Sequence, residues 1–92
     1  MEILITCTYN LSKGLQGSEL QEGVKEAIEA TSHFWTNEGL EVTTLPSPSP
    51  SIGFFSLEKV DPEPTLDRIY GDLSGTFCQW DLPVEQFKIE LR

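Results

Sequence analysis

Basic residues are scarce in this chain: six Lys and Arg stand against fifteen Asp and Glu, a formal charge of -9 over 92 residues. A field of that sign repels nucleic acid and anionic membranes, and it attracts basic partners at rates that fall with salt. Direct nucleic-acid binding and docking on a membrane are therefore not expected. Histidine occurs once and cysteine twice, with no CxxC and no HxxxH, so no metal site is expected. The chain has no GxSxG, no phosphate-binding glycine loop and no dinucleotide fingerprint. The expectation is a protein that is not an enzyme and holds no cofactor. Long apolar runs are missing too, none approaching the roughly 18 residues that span a bilayer. The first ten residues, MEILITCTYN, lack the basic start and longer apolar core of a signal peptide. The expected location is a cytoplasm, where Cys7 and Cys78 stay reduced.

What the chain does have is enough apolar material to fold. Hydrophobic residues make up 38%, with five Phe, two Trp and two Tyr, which argues against disorder. A chain of this length forms one domain, residues 1–92, and buries about 60–65% of its unfolded surface. That leaves room for one helix layer on one sheet.

The strongest pattern lies between Ser18 and Gly39. Leu20, Val24, Ala27, Ile28, Thr31, Phe34 and Trp35 recur at helical spacing, which predicts an amphipathic helix over about 19–38. Ser18 and Gln21 have the spacing of a capping box, and Gly39 can supply the left-handed stop.

Ahead of it, residues 2–9 alternate and are rich in β-branched side chains, which predicts a strand. After it, residues 40–45 and 52–60 read as strands, joined by the stiff Pro/Ser loop 46–51. Alternate prolines there remove backbone donors and hold the chain extended. Residues 65–74 fit a short helix capped by Thr65, although Gly71 leaves a strand open. Residues 76–82 and 84–92 both alternate and read as strands. The expected class is α+β: one long amphipathic helix on a mostly antiparallel sheet of four to five strands. The first six elements match the ferredoxin-like βαββαβ order, with an extra C-terminal strand. No stretch resembles a known family closely enough for residue roles to be borrowed.

Binding residues are sought in the charge pattern. Glu19, Glu22, Glu26 and Glu29 fall at steps of three and four, a row with roughly one carboxylate per 5.4 Å turn. A second acidic group spans Glu58, Asp61, Glu63, Asp67 and Asp72, with Lys59 and Arg68 among them. Two such surfaces could imitate the charge row of a nucleic acid and occupy a basic groove. The plainer reading of the same row is a solvated helix face.

Trp35, on the apolar stripe, reads as core. Trp80, between Gln79 and Asp81, is the more open aromatic and a candidate binding anchor. Phe54 and Phe55 are adjacent, so one of them leaves the helix-covered face of the sheet. Phe54 is the second candidate anchor.

The first functional expectation is thus a small acidic inhibitor or modulator, immunity-type or nucleic-acid-mimic-like, that docks on a basic protein surface. The alternative is an assembly or regulatory subunit, a homo-oligomer pairing through its sheet while the acidic helix only faces water. A thiol-based activity centred on Cys7, Cys78 and His33 is the third. Cys7 and Cys78 are both expected in buried strands, which raises a thiol's pKa and dulls it.

Overall fold

A computed structural model describes residues 2–14, 17–36, 39–58 and 65–92. The elements run β1 (Ile3–Tyr9), a 3-10 turn (Leu11–Lys13), α1 (Gly17–Ser32), β2 (Val42–Leu45), β3 (Ile52–Leu57), α2 (Leu66–Gln79) and β4 (Val84–Leu91). The class is α+β: four antiparallel strands in the order β2-β3-β1-β4, covered on one face by two helices.

Alternation along the strands decides what each face buries. Ile3, Ile5 and Cys7 on β1 lie opposite Leu57, Phe55 and Gly53 on β3 and opposite Leu91, Ile89 and Phe87 on β4. Opposed residues of an antiparallel pair share a face, and this face carries the helices. Leu20, Val24 and Ile28 from α1 and Ile69, Leu73 and Phe77 from α2 close over it. Phe55 is fully buried here, and Phe54 is half-buried on the opposite, uncovered face.

Two expectations about α1 are corrected. It ends at Ser32 rather than near residue 38, and Phe34 and Trp35 follow it in a turn. The Ser32 hydroxyl accepts the Leu40 N–H at 2.8 Å and donates to the Glu29 carbonyl, which pulls the chain off the helix axis. Short bonds from Phe34 N–H to the Thr31 carbonyl and from Trp35 N–H to the Ser32 carbonyl tighten the exit. Phe34 therefore leaves the stripe and is 63% exposed. The capping partner proposed for Ser18 is engaged elsewhere, since Gln21 Oε1 accepts the Tyr9 hydroxyl at 2.8 Å.

The larger correction lies after Thr65. Thr65 does cap, accepting the Arg68 N–H, but α2 runs on to Gln79. The expected strand over 76–82 is therefore the end of a helix, and among the described residues the sheet has four strands with no extra C-terminal one. Gly71 and Gly75 cost about 1 kcal/mol each against Ala in a helix. Burial of Ile69, Leu73, Thr76 and Phe77 along one side offsets that cost. The helix stops in a Schellman arrangement: Asp81 N–H bonds the Cys78 carbonyl and Leu82 N–H bonds the Phe77 carbonyl. Asp81 takes the left-handed position with φ 52°. Cys78, expected in a buried strand, is consequently an exposed helix residue, while Cys7 is fully buried.

The helices cross-link through polar contacts. Thr31 Oγ1 donates to Thr76 Oγ1 at 2.7 Å, and Thr76 Oγ1 donates to the Asp72 carbonyl at 3.1 Å. Trp35 Nε1 donates to Asp72 Oδ2 at 2.8 Å. Among the described residues, no helix is long and apolar enough to cross a membrane.

Candidate protein-binding surface

Burying Leu20, Val24, Ala27, Ile28 and Thr31 against the sheet and α2 fixes which side of α1 meets water. Glu19, Glu22 and Glu26 are exposed on that side, and Glu29 is partly so. Lys25 Nζ lies 3.9 Å from Glu29 Oε1, and it is the one ion pair the row makes among the described residues. Like charges three and four apart on a helix repel by a few tenths of a kcal/mol per pair. Only Glu19 stands in the first turn, where the helix dipole compensates it. The row is held on a helix packed into the core, with most of its charge unpaired among the described residues. His33 follows it, exposed, with its ring over Gly39, whose φ of 73° suits a residue with no Cβ.

Asp72 and Asp67 of the second acidic group differ in their surroundings. Asp72 is spent inside the fold, accepting from Trp35 and lying 3.7 Å from Arg68 Nε. Asp67 is exposed in the first turn of α2. Its neighbour Arg68 donates to the Phe34 carbonyl at 3.0 Å, so Asp67 sits at the end of the helix layer where α1 finishes. Asp61 and Glu63 lie outside the described residues.

The two aromatic candidates separate. The helices run antiparallel, and a Cβ at Gly23 would stand 3.5 Å from Leu82. Trp80, 44% exposed at the end of α2, therefore lies at the same end of the helix layer as Glu19 and Glu22. Phe54 does not join them. It faces the uncovered side of the sheet, in a row with Leu45 and Thr6, while α1 covers the other side.

Some exposed apolar side chains lie outside the candidates named from the sequence. Leu66 and Tyr70 project one turn apart from α2, Tyr70 being 47% exposed, and Leu91 is 51% exposed on β4. Tyr70 stacks on Phe87 with ring centroids 4.3 Å apart, and Phe77 meets the same ring edge-on at 5.2 Å. The helical spacing of Leu66 and Tyr70 and the alternation of Phe87, Ile89 and Leu91 were each visible. Their meeting depends on α2 folding back along β4. An open pocket of about 350 Å³ lies between the two elements, lined by Tyr70, Phe77, Cys78, Asp81 and Phe87.

The chemistry available is limited by where the thiols sit. Burial pushes the Cys7 thiol up from 9.0 to about 12, which keeps it protonated and unreactive near neutral pH. Burial, and then the neighbouring Cys7, raise the Tyr9 hydroxyl as well. Among the described residues, no three His, Cys, Asp or Glu side chains stand close enough to hold a metal ion. Compared with protein-family models and with characterised proteins, the chain matches none.

Proposed function

We propose that this chain is a small acidic, non-catalytic protein-binding module that docks on a basic protein surface through the exposed side of α1. The observation that carries the reading is the row Glu19, Glu22, Glu26 and Glu29, fixed on a helix whose other side is locked into the core and offset, among the described residues, by the Lys25–Glu29 pair. Such a row attracts a complementary surface over several ångströms and speeds encounter. Trp80, at the same end as Glu19 and Glu22, supplies an apolar anchor that slows release. Asp67 extends the negative surface at the far end of the helix layer. An inhibitor or modulator of a protein with a basic groove would use this geometry. The βαββαβ order with sheet order β2-β3-β1-β4 supports a ferredoxin-like fold. The free thiols of Cys7 and Cys78 suit a reducing compartment such as a cytoplasm.

The test is affinity capture from the native lysate at low and high salt, with the parent and with a Glu22→Lys/Glu26→Lys/Glu29→Lys variant. A basic protein retained by the parent at low salt, and lost both at high salt and with the variant, supports the reading. Equal capture by parent and variant contradicts it.

A second reading, self-association through the sheet, is favoured by one specific observation: Leu91 is exposed on β4, and the exposed Tyr70 stacks on Phe87 of the same strand.

A further inference from the structure

The two edges of the sheet differ. β2 is four residues long and runs directly into Pro46, Pro48 and Pro50, which blunts it against further pairing. β4 is eight residues long and contains no proline. Its pairing with β1 is regular from Gln86 to Leu91, the irregularity falling earlier, opposite Thr8 and Tyr9.

The backbone directions along β4 can be read from its neighbours. Arg92 N–H donates to the Glu2 carbonyl at 3.0 Å, so Arg92 points its amide towards β1. Directions alternate along a strand, so Glu90, Lys88 and Gln86 also face β1. The far side of β1 agrees, because Tyr9 N–H donates to the Ser51 carbonyl next to β3, placing the odd residues of β1 away from β4. Phe87, Ile89 and Leu91 therefore hold out their N–H and C=O groups along an edge that no other strand pairs among the described residues.

We propose that β4 pairs antiparallel with β4 of a second copy of this chain, about a twofold axis at Ile89, to make one continuous eight-stranded sheet. Antiparallel pairing through the open groups must set odd residues against odd, which leaves few symmetric registers. An axis at Lys88 opposes lysine to lysine. One at Glu90 opposes glutamate to glutamate and Lys88 to Arg92. At Phe87 it sets the Glu85 carboxylate against Ile89. The axis at Ile89 instead places Lys88 opposite Glu90 of the second copy, twice over, on the uncovered face. On the helix face it sets Ile89 against Ile89 and Phe87 against Leu91. That register covers the half-exposed Leu91 and brings the Tyr70–Phe87 stack to the seam. Charges that only guard an edge need not be self-complementary, whereas these two flank an apolar residue with opposite signs and fit their own image.

The test is sedimentation equilibrium on the full chain from micromolar to millimolar concentration, with circular dichroism of each variant as a fold control. Lys88 and Glu90 are exposed, so their exchange leaves the core intact. The parent should reach twice its 10.3 kDa mass. Lys88→Glu alone and Glu90→Lys alone should each weaken dimerisation about tenfold or more, by turning two attractive cross-strand pairs repulsive. The double exchange Lys88→Glu/Glu90→Lys should restore it. A mixture of the two single variants should form a heterodimer, because every cross-strand pair is again of opposite sign. A parent that stays monomeric throughout, or a dimer indifferent to both single exchanges, overturns the proposal. The Glu22, Glu26 and Glu29 reversal lies on another element, so failure of one test leaves the other intact.

Discussion

Replacing Gly53 by alanine should be the most damaging one-carbon change on the inner face of the sheet. Gly53 is buried on β3 opposite Cys7, and the space its side chain would fill is taken by Tyr9. A Cβ there would stand 1.9 Å from Tyr9 Oη, 2.7 Å from Cζ and 2.8 Å from Gln21 Oε1. Ordinary contact needs about 3.5–4.0 Å between carbons, so the ring must move. Tyr9 is 4% exposed and has nowhere to swing without opening the contact between β1 and α1. Overpacking of this kind costs about 1–3 kcal/mol. Loss of the 2.8 Å Tyr9–Gln21 hydrogen bond adds about 1 kcal/mol. The expected total for Gly53→Ala is therefore about 2–4 kcal/mol. In a domain of this size each kcal/mol shifts Tm by about 4–8 °C.

Urea unfolding of the parent, Gly53→Ala, Tyr9→Phe and the double variant reads the coupling directly. Tyr9→Phe alone should cost about 1 kcal/mol. In the Gly53→Ala background it should cost nothing further and can restore stability, because it removes the atom nearest the new methyl group. A Gly53→Ala variant within about 0.5 kcal/mol of the parent, or equal costs of Tyr9→Phe in both backgrounds, would refute the reasoning.

Two further predictions rest on the same fold. Cys7 titrates near 12 in the native state and near 9 when unfolded, so above pH 9 the unfolded chain releases a proton that the folded one keeps. The contribution of Cys7 is fully present below pH 9 and should fall by about 1 kcal/mol per pH unit towards pH 12, more steeply once Tyr9 joins above pH 10; denaturation midpoints against pH should flatten in Cys7→Ala, and an unchanged slope contradicts the burial argument. Asp81 holds the left-handed position that ends α2, so Asp81→Gly should leave stability unchanged or raise it by up to about 1 kcal/mol, while Asp81→Val should lower it by about 1–2 kcal/mol; thermal melts of the two variants decide, and a valine variant as stable as the parent rules out the Schellman account.

Much of the α+β architecture was readable because the hydrophobic period is strong where burial is one-sided. Ile3, Ile5 and Cys7 on β1 and Phe87, Ile89 and Leu91 on β4 alternate cleanly, and Leu20, Val24, Ala27 and Ile28 recur at helical spacing. The second half of α2 was not readable. Thr76, Cys78 and Trp80 alternate as a strand would, and Gly71 and Gly75 weaken the helical signal. What decides is Ile69, Leu73 and Phe77 finding α1 and the sheet, a tertiary contact that no local window contains. The early end of α1 was hidden for a similar reason, because the apolar period continues through Phe34 and Trp35. The Ser32 hydroxyl and the exit bonds stop the helix without breaking that pattern.

The candidate surface divides along the same line. The glutamate row follows from spacing within one helix, so its shared exposure could be read directly. Asp72 could not be removed from the acidic group without knowing that Trp35 reaches it across the helix pair. Nor could Phe54 be parted from the row before the sheet's covered face was known.

The central claim, that the exposed carboxylates of α1 form a docking surface, is tested most directly by association kinetics. The basic partner retained at low salt is immobilised, and its on-rate for the parent and for the Glu22→Lys/Glu26→Lys/Glu29→Lys variant is followed across ionic strength. The account predicts an on-rate for the parent that falls steeply with salt and a much slower, nearly salt-independent on-rate for the variant. On-rates that are equal for the two proteins and flat with salt would contradict it.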